Sequence, residues 1–220
     1  MNNKTLEKKN NNVKIHITNH TKGAKMDLMQ SISTSCLACG RCRKRAANPD
    51  TICSHCYAER SIKQYTNLGN ALEHNTKVLT AKVLPKEELP TINCAFFRFE
   101  AFGDLNNTIQ VINYFNICKK NPYVNFALWT KNPDFIDNAI KKGHEKPDNL
   151  QIVYSGIFTD KVNKIPAKYS YFIDKIFNVF SSEETASECG KVANCGKKHC
   201  IDCLLCYTKN NVKEINELLK

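Results

Sequence analysis

CAFFRFEAFGDLNNTIQVINYFNICKKNPYVNFALWT, residues 94–130, decides how this 220-residue chain folds. Its opening run, Cys94 to Glu100, sets Phe97 and Phe99 on one side and Arg98 and Glu100 on the other, the two-residue period of a strand. Thr108 to Lys119 then places Ile109, Ile112, Tyr114 and Phe115 along one side of a helix, and Val124 to Thr130 returns as a strand. The rhythm continues downstream. Asn132-Pro133-Asp134 reads as a helix start running to about Lys142, with Asn132 as cap and Pro133 at the first helical position. Leu150 to Ser155 reads as a third strand, and Tyr169 to Phe180 holds one or two more. Upstream, Leu68, Leu72, Val78, Leu79 and Val83 mark a helix over about 67–83 that Pro85 and Pro90 end, and Val13 to Thr18 alternates like a strand. The expected fold is α/β: a partial (β/α) barrel or an open parallel sheet. One domain is expected over 13–210, after a disordered basic tail at 1–12 and before a C-terminal helix at 211–220.

Cysteine-rich segments flank this body. Of 12 cysteines, ten fall in two sets: Cys36, Cys39, Cys42, Cys53 and Cys56, and Cys189, Cys195, Cys200, Cys203 and Cys206. Cys-x2-Cys steps let two thiolates reach one metal centre from a single turn of backbone, so both segments (36–56 and 189–206) are expected to bind metal. Zinc takes paired Cys-x2-Cys knuckles in a tetrahedron. Consecutive Cys-x2-Cys-x2-Cys steps, at 36–39–42 and 200–203–206, are instead the habit of [4Fe–4S] ligation. Iron–sulfur is the expected cofactor and zinc the alternative. Each set holds one cysteine more than a single cube needs. His55 and His199 lie inside the sets and read as neighbours of the centre rather than ligands. Cys94 and Cys118 sit in apolar contexts and read as core thiols.

Composition narrows the classes further. The polar start MNNKTLEKKNNN lacks the apolar core of a secretory signal, and no apolar run approaches the roughly 18 residues of a membrane span. No membrane association is expected, and the expected location is the cytoplasm of the host cell, where thiols stay reduced and cysteine sets bind metal instead of pairing as disulfides. The net charge is +11, and residues 1–50 supply +7 of it, from ten Lys and Arg against three acids. Within that segment Arg41, Arg43, Lys44 and Arg45 form a candidate phosphate-binding patch for nucleic acid. A solubilising tail and counter-charge for thiolates explain the same residues equally well.

Chemistry in parallel α/β folds collects at the C-terminal ends of strands. Arg98, Glu100, Asp104 and Lys131 stand there and are the candidate catalytic residues, converging on one polar pocket. A buried Arg–Glu pair and a helix-capping Asp104 are the structural counterpart of that reading.

The run Cys53-Ser-His-Cys56-Tyr-Ala-Glu-Arg60, the segment Arg98 to Leu105, the Trp129-Thr-Lys-Asn-Pro133 element and the terminal Cys-x2-Cys-x2-Cys-Tyr resemble the phage "gene product 88" domain family. The order of elements is also similar to that of radical-SAM-like phage proteins. The first resemblance implies no established reaction; the second implies a cluster-binding barrel that uses S-adenosylmethionine, with nucleic acid or a nucleotide as the substrate class. The Cys-x3-Cys-x2-Cys run that leaves one iron open for S-adenosylmethionine is absent, and no Gly-rich phosphate loop is present. Two other classes fit the same residues: a zinc-stapled nucleic-acid-binding module, and a phage adaptor or inhibitor that binds a host protein with structural metal only.

Overall fold

Residues 14–219 are described here from a computed structural model. The tail expected at 1–12 lies outside the described residues. In chain order the elements are β1 (Thr18–Asn19), β2 (Gln30–Ile32), α1 (Gly40–Ala46), α2 (Tyr57–Gln64), α3 (Thr66–Ala81), β3 (Phe96–Phe99), α4 (Thr108–Lys120) and β4 (Asn125–Thr130). There follow α5 (Asp134–Lys141), β5 (Leu150–Thr159), β6 (Lys175–Phe180), α6 (Glu183–Glu188), α7 (Cys200–Cys203) and β7 (Glu214–Leu218).

The seven strands form one sheet whose spatial order is the chain order, with β1 antiparallel to β2 and every other neighbour parallel. Crossovers that always step the same way put their helices on one face of the sheet. Phe97 and Phe99 of β3, Phe126 and Leu128 of β4 and Ile152 of β5 pack there with Leu79 of α3, Phe115 of α4 and Ile136 of α5. Phe99 stacks on Phe126 at 5.2 Å and on Tyr114 at 4.2 Å. Alternation sends Arg98, Trp129, Val153, Ser155 and Phe177 to the other face. A smaller cluster of Met26, Met29, Trp129, Val153 and Tyr207 gathers on that side.

β1 and β7 are the outer strands, so the pairing is that of an open sheet. Their surroundings are nevertheless tied together. Lys25, in the β1–β2 loop, pairs with Glu217 of β7, and the Cys200 amide donates to the Lys25 carbonyl at 2.7 Å.

Four local expectations give way to the structure. Residues 211–220 contain β7, not a helix: β6 offers an open edge, Ile215 becomes fully buried, and five backbone positions pair in parallel register. Asn132 does not cap α5. Its side chain is spent bridging Leu105 and Arg45, and Pro133 takes the cap position. The segment 31–60, whose Ser-, Thr-, Gly- and Asn-rich composition reads as a loop organised by its ligand, contains β2, α1 and the start of α2. Leu150–Ser155 runs on to Thr159 through an irregularity that shifts the register with β6.

Candidate functional site

The two cysteine sets arrive from opposite ends of the chain and open on one cavity of about 570 Å³ on the side of the sheet away from α3, α4 and α5. Cys36, Cys42, Cys53 and Cys56 line it from one side, and Cys195, Cys200 and Cys206 from the other. All twelve thiols are free.

The first set rides on short elements beyond the C-terminal end of β2. Cys36 and Cys39 lie in the turn leading into α1, Cys42 on α1, Cys53 in a single 3-10 turn (Ile52–His55), and Cys56 at the start of α2. Thr51 bridges to Phe158, and the Thr159 amide donates to the Asp50 carbonyl, which fastens this segment to the end of β5. The Cys36 thiol lies against that of Cys56, and the Cys39 thiol against that of Cys42, close enough for each to shift its neighbour's proton affinity. Within each pair one thiol keeps its proton and the other is eased towards thiolate. Cys36 and Cys42 rise, while the thiol beside each brings Cys56 and Cys39 down to about 6.

In the second set Cys195, Cys200, Cys203 and Cys206 sit close enough to act electrostatically on one another, and burial pushes Cys195, Cys200 and Cys206 above the ordinary thiol range. Cys189 stands apart, its Sγ 3.7 Å from the Asp160 carbonyl oxygen. Among the described residues no three or more His, Cys, Asp or Glu side chains gather in the way a single metal ion requires. Cys118 is fully buried and Cys94 half-buried against its own strand.

Cations surround both sets. Beside Cys53 stand Arg45 and Lys131. Around the second set stand Lys25, whose Nζ is 3.4 Å from Cys195 Sγ, together with Arg98 beside Cys200 and Cys206, and Lys175 beside Cys206. Lys175 is 1% exposed, and among the described residues it donates to neutral oxygens, Asn210 Oδ1 at 2.7 Å and the Val212 carbonyl at 2.9 Å. Burying a cation without an anion costs several kcal/mol. The buried Lys175, with Lys25 beside Cys195, is a fit for thiolate, the form in which cysteine binds metal.

The four candidate catalytic residues all line the cavity. Two of them are occupied with holding the rim. Glu100 adopts φ +58°, a left-handed conformation that swings its carboxylate towards α4. There Tyr114 (2.5 Å) and Gln110 (2.6 Å) donate to Oε1, and the Thr34 amide donates to Oε2 at 3.2 Å. Burial raises this carboxyl to about 7 against the pull of those hydrogen bonds. Gly103 lets the chain pass over this network, because a Cβ there would meet the Thr34 carbonyl oxygen at 2.3 Å and Glu100 Oε2 at 2.6 Å. Asp104 accepts from the Thr130 hydroxyl (2.6 Å) and the Lys131 amide (3.1 Å), with Arg45 at 3.5 Å. Lys131 reaches along the rim to Ser155 at 2.8 Å. Arg98 lies deeper, over the ring of Trp129 at 4.1 Å.

The basic patch divides. Arg41 makes a two-pronged pair with Asp134 (2.6 and 2.8 Å), and Arg45 turns inward to Asp104, Lys131 and Asn132. Arg43 and Lys44 remain exposed on α1. Sequence reasoning met Trp129 and Tyr207 as members of family motifs without giving either a role, and it gave none to Lys25 or Lys175. The alternation of β4 would have put Trp129 on the side opposite Phe126, but no local signal marks the two lysines.

The fold and cavity define a class: an α/β protein with a singly wound sheet and a thiol-lined chamber of ligand size. Within that class the chain belongs to the Gene product 88 family, a phage gene product family whose model matches residues 1–214. No curated protein and no solved structure matches it. Among the described residues no helix is long and apolar enough to cross a membrane.

Proposed function

We propose that this protein binds two iron–sulfur clusters, one at each cysteine set, facing each other across the central cavity. The observation that carries the proposal is the convergence of sets from opposite ends of the chain on one chamber. Chain economy alone would not require this of two independent staples. Three further points support it. Each set contains the consecutive Cys-x2-Cys-x2-Cys steps that suit a cube. The setting apart of Cys189 leaves four neighbouring thiols in the second set, the number one cube takes. Cations flank both sets, as anionic centres need.

Bound clusters would supply one-electron chemistry. The chain's own residues would hold and insulate them. Lys25 and Lys175 offset charge at the second set, Arg45 and Lys131 at the first, and Trp129, Phe177 and Met26 keep the floor between them apolar. The sequential strand order is that of a segment of a (β/α) barrel, the architecture in which strand-end cavities host reactions. Cleavage of S-adenosylmethionine is not part of the proposal, because four thiols per cube leave no iron open.

The test is metal and sulfide analysis of protein purified without oxygen. About eight iron and eight acid-labile sulfide per chain are expected for two cubes. Stoichiometric zinc with no sulfide would overturn the proposal in favour of zinc staples.

A further inference from the structure

We infer that the cavity floor is a binding site for a small oxyanion-bearing molecule with a flat apolar body, received by the Arg98 guanidinium. Arg98 rises from β3 onto the face of the sheet away from α3, α4 and α5 and lies on Trp129 at 4.1 Å. Stacking of this kind fixes the plane of the guanidinium and leaves its edge, with the N–H donors, facing outward. Those donors are poorly used. Among the described residues, the side-chain hydrogen bond Arg98 makes is from Nη1 to the Met26 sulfur at 3.7 Å, a weak acceptor. Its Nε is buried with no hydrogen-bond partner, and no carboxylate of a described residue lies within ion-pair distance of it. A second orphan lies close by: the Tyr207 hydroxyl is buried without a hydrogen-bond partner among the described residues, with its ring 5.7 Å from that of Trp129.

Buried donors are almost always satisfied, so unsatisfied ones beside a cavity mark an acceptor that the chain itself does not provide. The thiols are the nearest alternative acceptors. They already have other cations, however: Lys25 at Cys195 and Lys175 beside Cys206. Lys25 lines the cavity as well but is paired with Glu217, and Lys175 is not among the lining residues, so Arg98 is the cation that faces the cavity without a carboxylate of a described residue. A guanidinium presents a fork that matches carboxylate or phosphate in two parallel hydrogen bonds. The walls around it include Trp129, Phe102, Tyr57, Leu37 and Phe177, and about 570 Å³ is room for a cofactor- or nucleotide-sized molecule. Lys131, at the mouth, offers a second cation to a longer or doubly charged ligand. The inference rests on the two-cluster reading for the role it gives Lys25 and Lys175.

Paired probes that differ only in the anion test it on anaerobically purified full-length protein, with metal content measured in parallel. Adenosine monophosphate against adenosine tests phosphate, and phenylacetate against phenylacetamide tests carboxylate. Binding is read by calorimetry, with the fluorescence of Trp129, the chain's single tryptophan, locating the event. In at least one pair the anion is expected to bind about tenfold more tightly than its neutral twin or better. Arg98→Gln should erase that preference with metal content unchanged, and Arg98→Lys, which keeps charge but loses the fork, should reduce it. If Arg98→Gln does not fold, the Arg98→Lys reduction decides. No preference in either pair, or a preference that survives substitution, overturns the inference. So does loss of metal on Arg98→Gln, which would make Arg98 the counter-ion of the thiolates. An Arg98-dependent preference in protein that contains no iron or sulfide would instead sink the two-cluster reading and leave the anion site standing.

Discussion

The two cysteine sets face one cavity but sit in electrostatically different surroundings. Around the first, Arg45 has the Asp104 carboxylate, and Lys131, half-buried at the rim, has the Ser155 hydroxyl. Around the second, Lys25 has Glu217, but among the described residues the buried Lys175 donates to neutral oxygens and Arg98 to a thioether sulfur. The cations of the first site thus have a carboxylate or solvent to face, whereas those buried at the second are better balanced when its thiols are thiolates or an anion arrives. A protein can tolerate an empty first site more cheaply than an empty second one.

The largest expected effect tests that asymmetry. Cys200→Ser with Cys203→Ser should remove about half the iron and leave buried cations uncompensated, a loss of about 3–5 kcal/mol in denaturant unfolding. Cys53→Ser with Cys56→Ser should remove the other half at clearly smaller cost to stability. Equal losses would break the comparison.

The next effect lies on the rim beside the first set. Glu100 has its carboxyl raised from the ordinary 4.5 to about 7 by burial, so the folded protein holds this proton more tightly than the unfolded chain. The stability it contributes is fully present below 4.5 and is lost as pH rises through about 7, on the order of 3 kcal/mol in all. Chemical-denaturation midpoints across that window should fall for the wild type and stay level for Glu100→Gln. A Glu100→Gln profile as steep as the wild type would remove Glu100 as the cause.

Gly103→Ala drives a Cβ into the Thr34 carbonyl oxygen and the Glu100 carboxylate, in the segment that leads into Cys36. Overpacking of this kind costs about 1–3 kcal/mol, and thermal unfolding should show it. If the rim anchors the first set, metal at that set should loosen while the second keeps its own. The smallest effect is expected at Asp134→Asn, which unties Arg41 and α1 from α5. An exposed pair of this kind contributes about 0.2–1 kcal/mol, and the difference from wild type should shrink further at high salt.

How much of this was legible in the sequence depended on whether the signal was local. Residues 94–130 announced β3, α4 and β4 because their two faces are chemically unlike, with phenylalanine towards the helices and Arg98 towards the cavity. β7 was not legible. Val212, Ile215, Leu218 and Leu219 have helical spacing, and only the open edge of β6 makes the segment a strand. The ten thiols could be picked out from their spacings, but their meeting at one cavity depends on strand order, which no spacing encodes. Nor did any motif mark Lys175, and the motif that contains Tyr207 gave no sign of where its ring packs. Each is buried by the chain that follows it in space, Lys175 beneath residues 210–212 and Tyr207 against Trp129. Even the stacking of Arg98 on Trp129 needed the register that pairs Arg98 with Ala127.

The most direct test of two clusters facing each other is electron paramagnetic resonance of the dithionite-reduced protein. The wild type should give spectra broadened by magnetic interaction between two neighbouring iron–sulfur centres. That broadening should vanish when either the Cys53/Cys56 or the Cys200/Cys203 pair is replaced by serine. A signal from one isolated centre, or no iron–sulfur signal from metal-replete protein, would contradict the account.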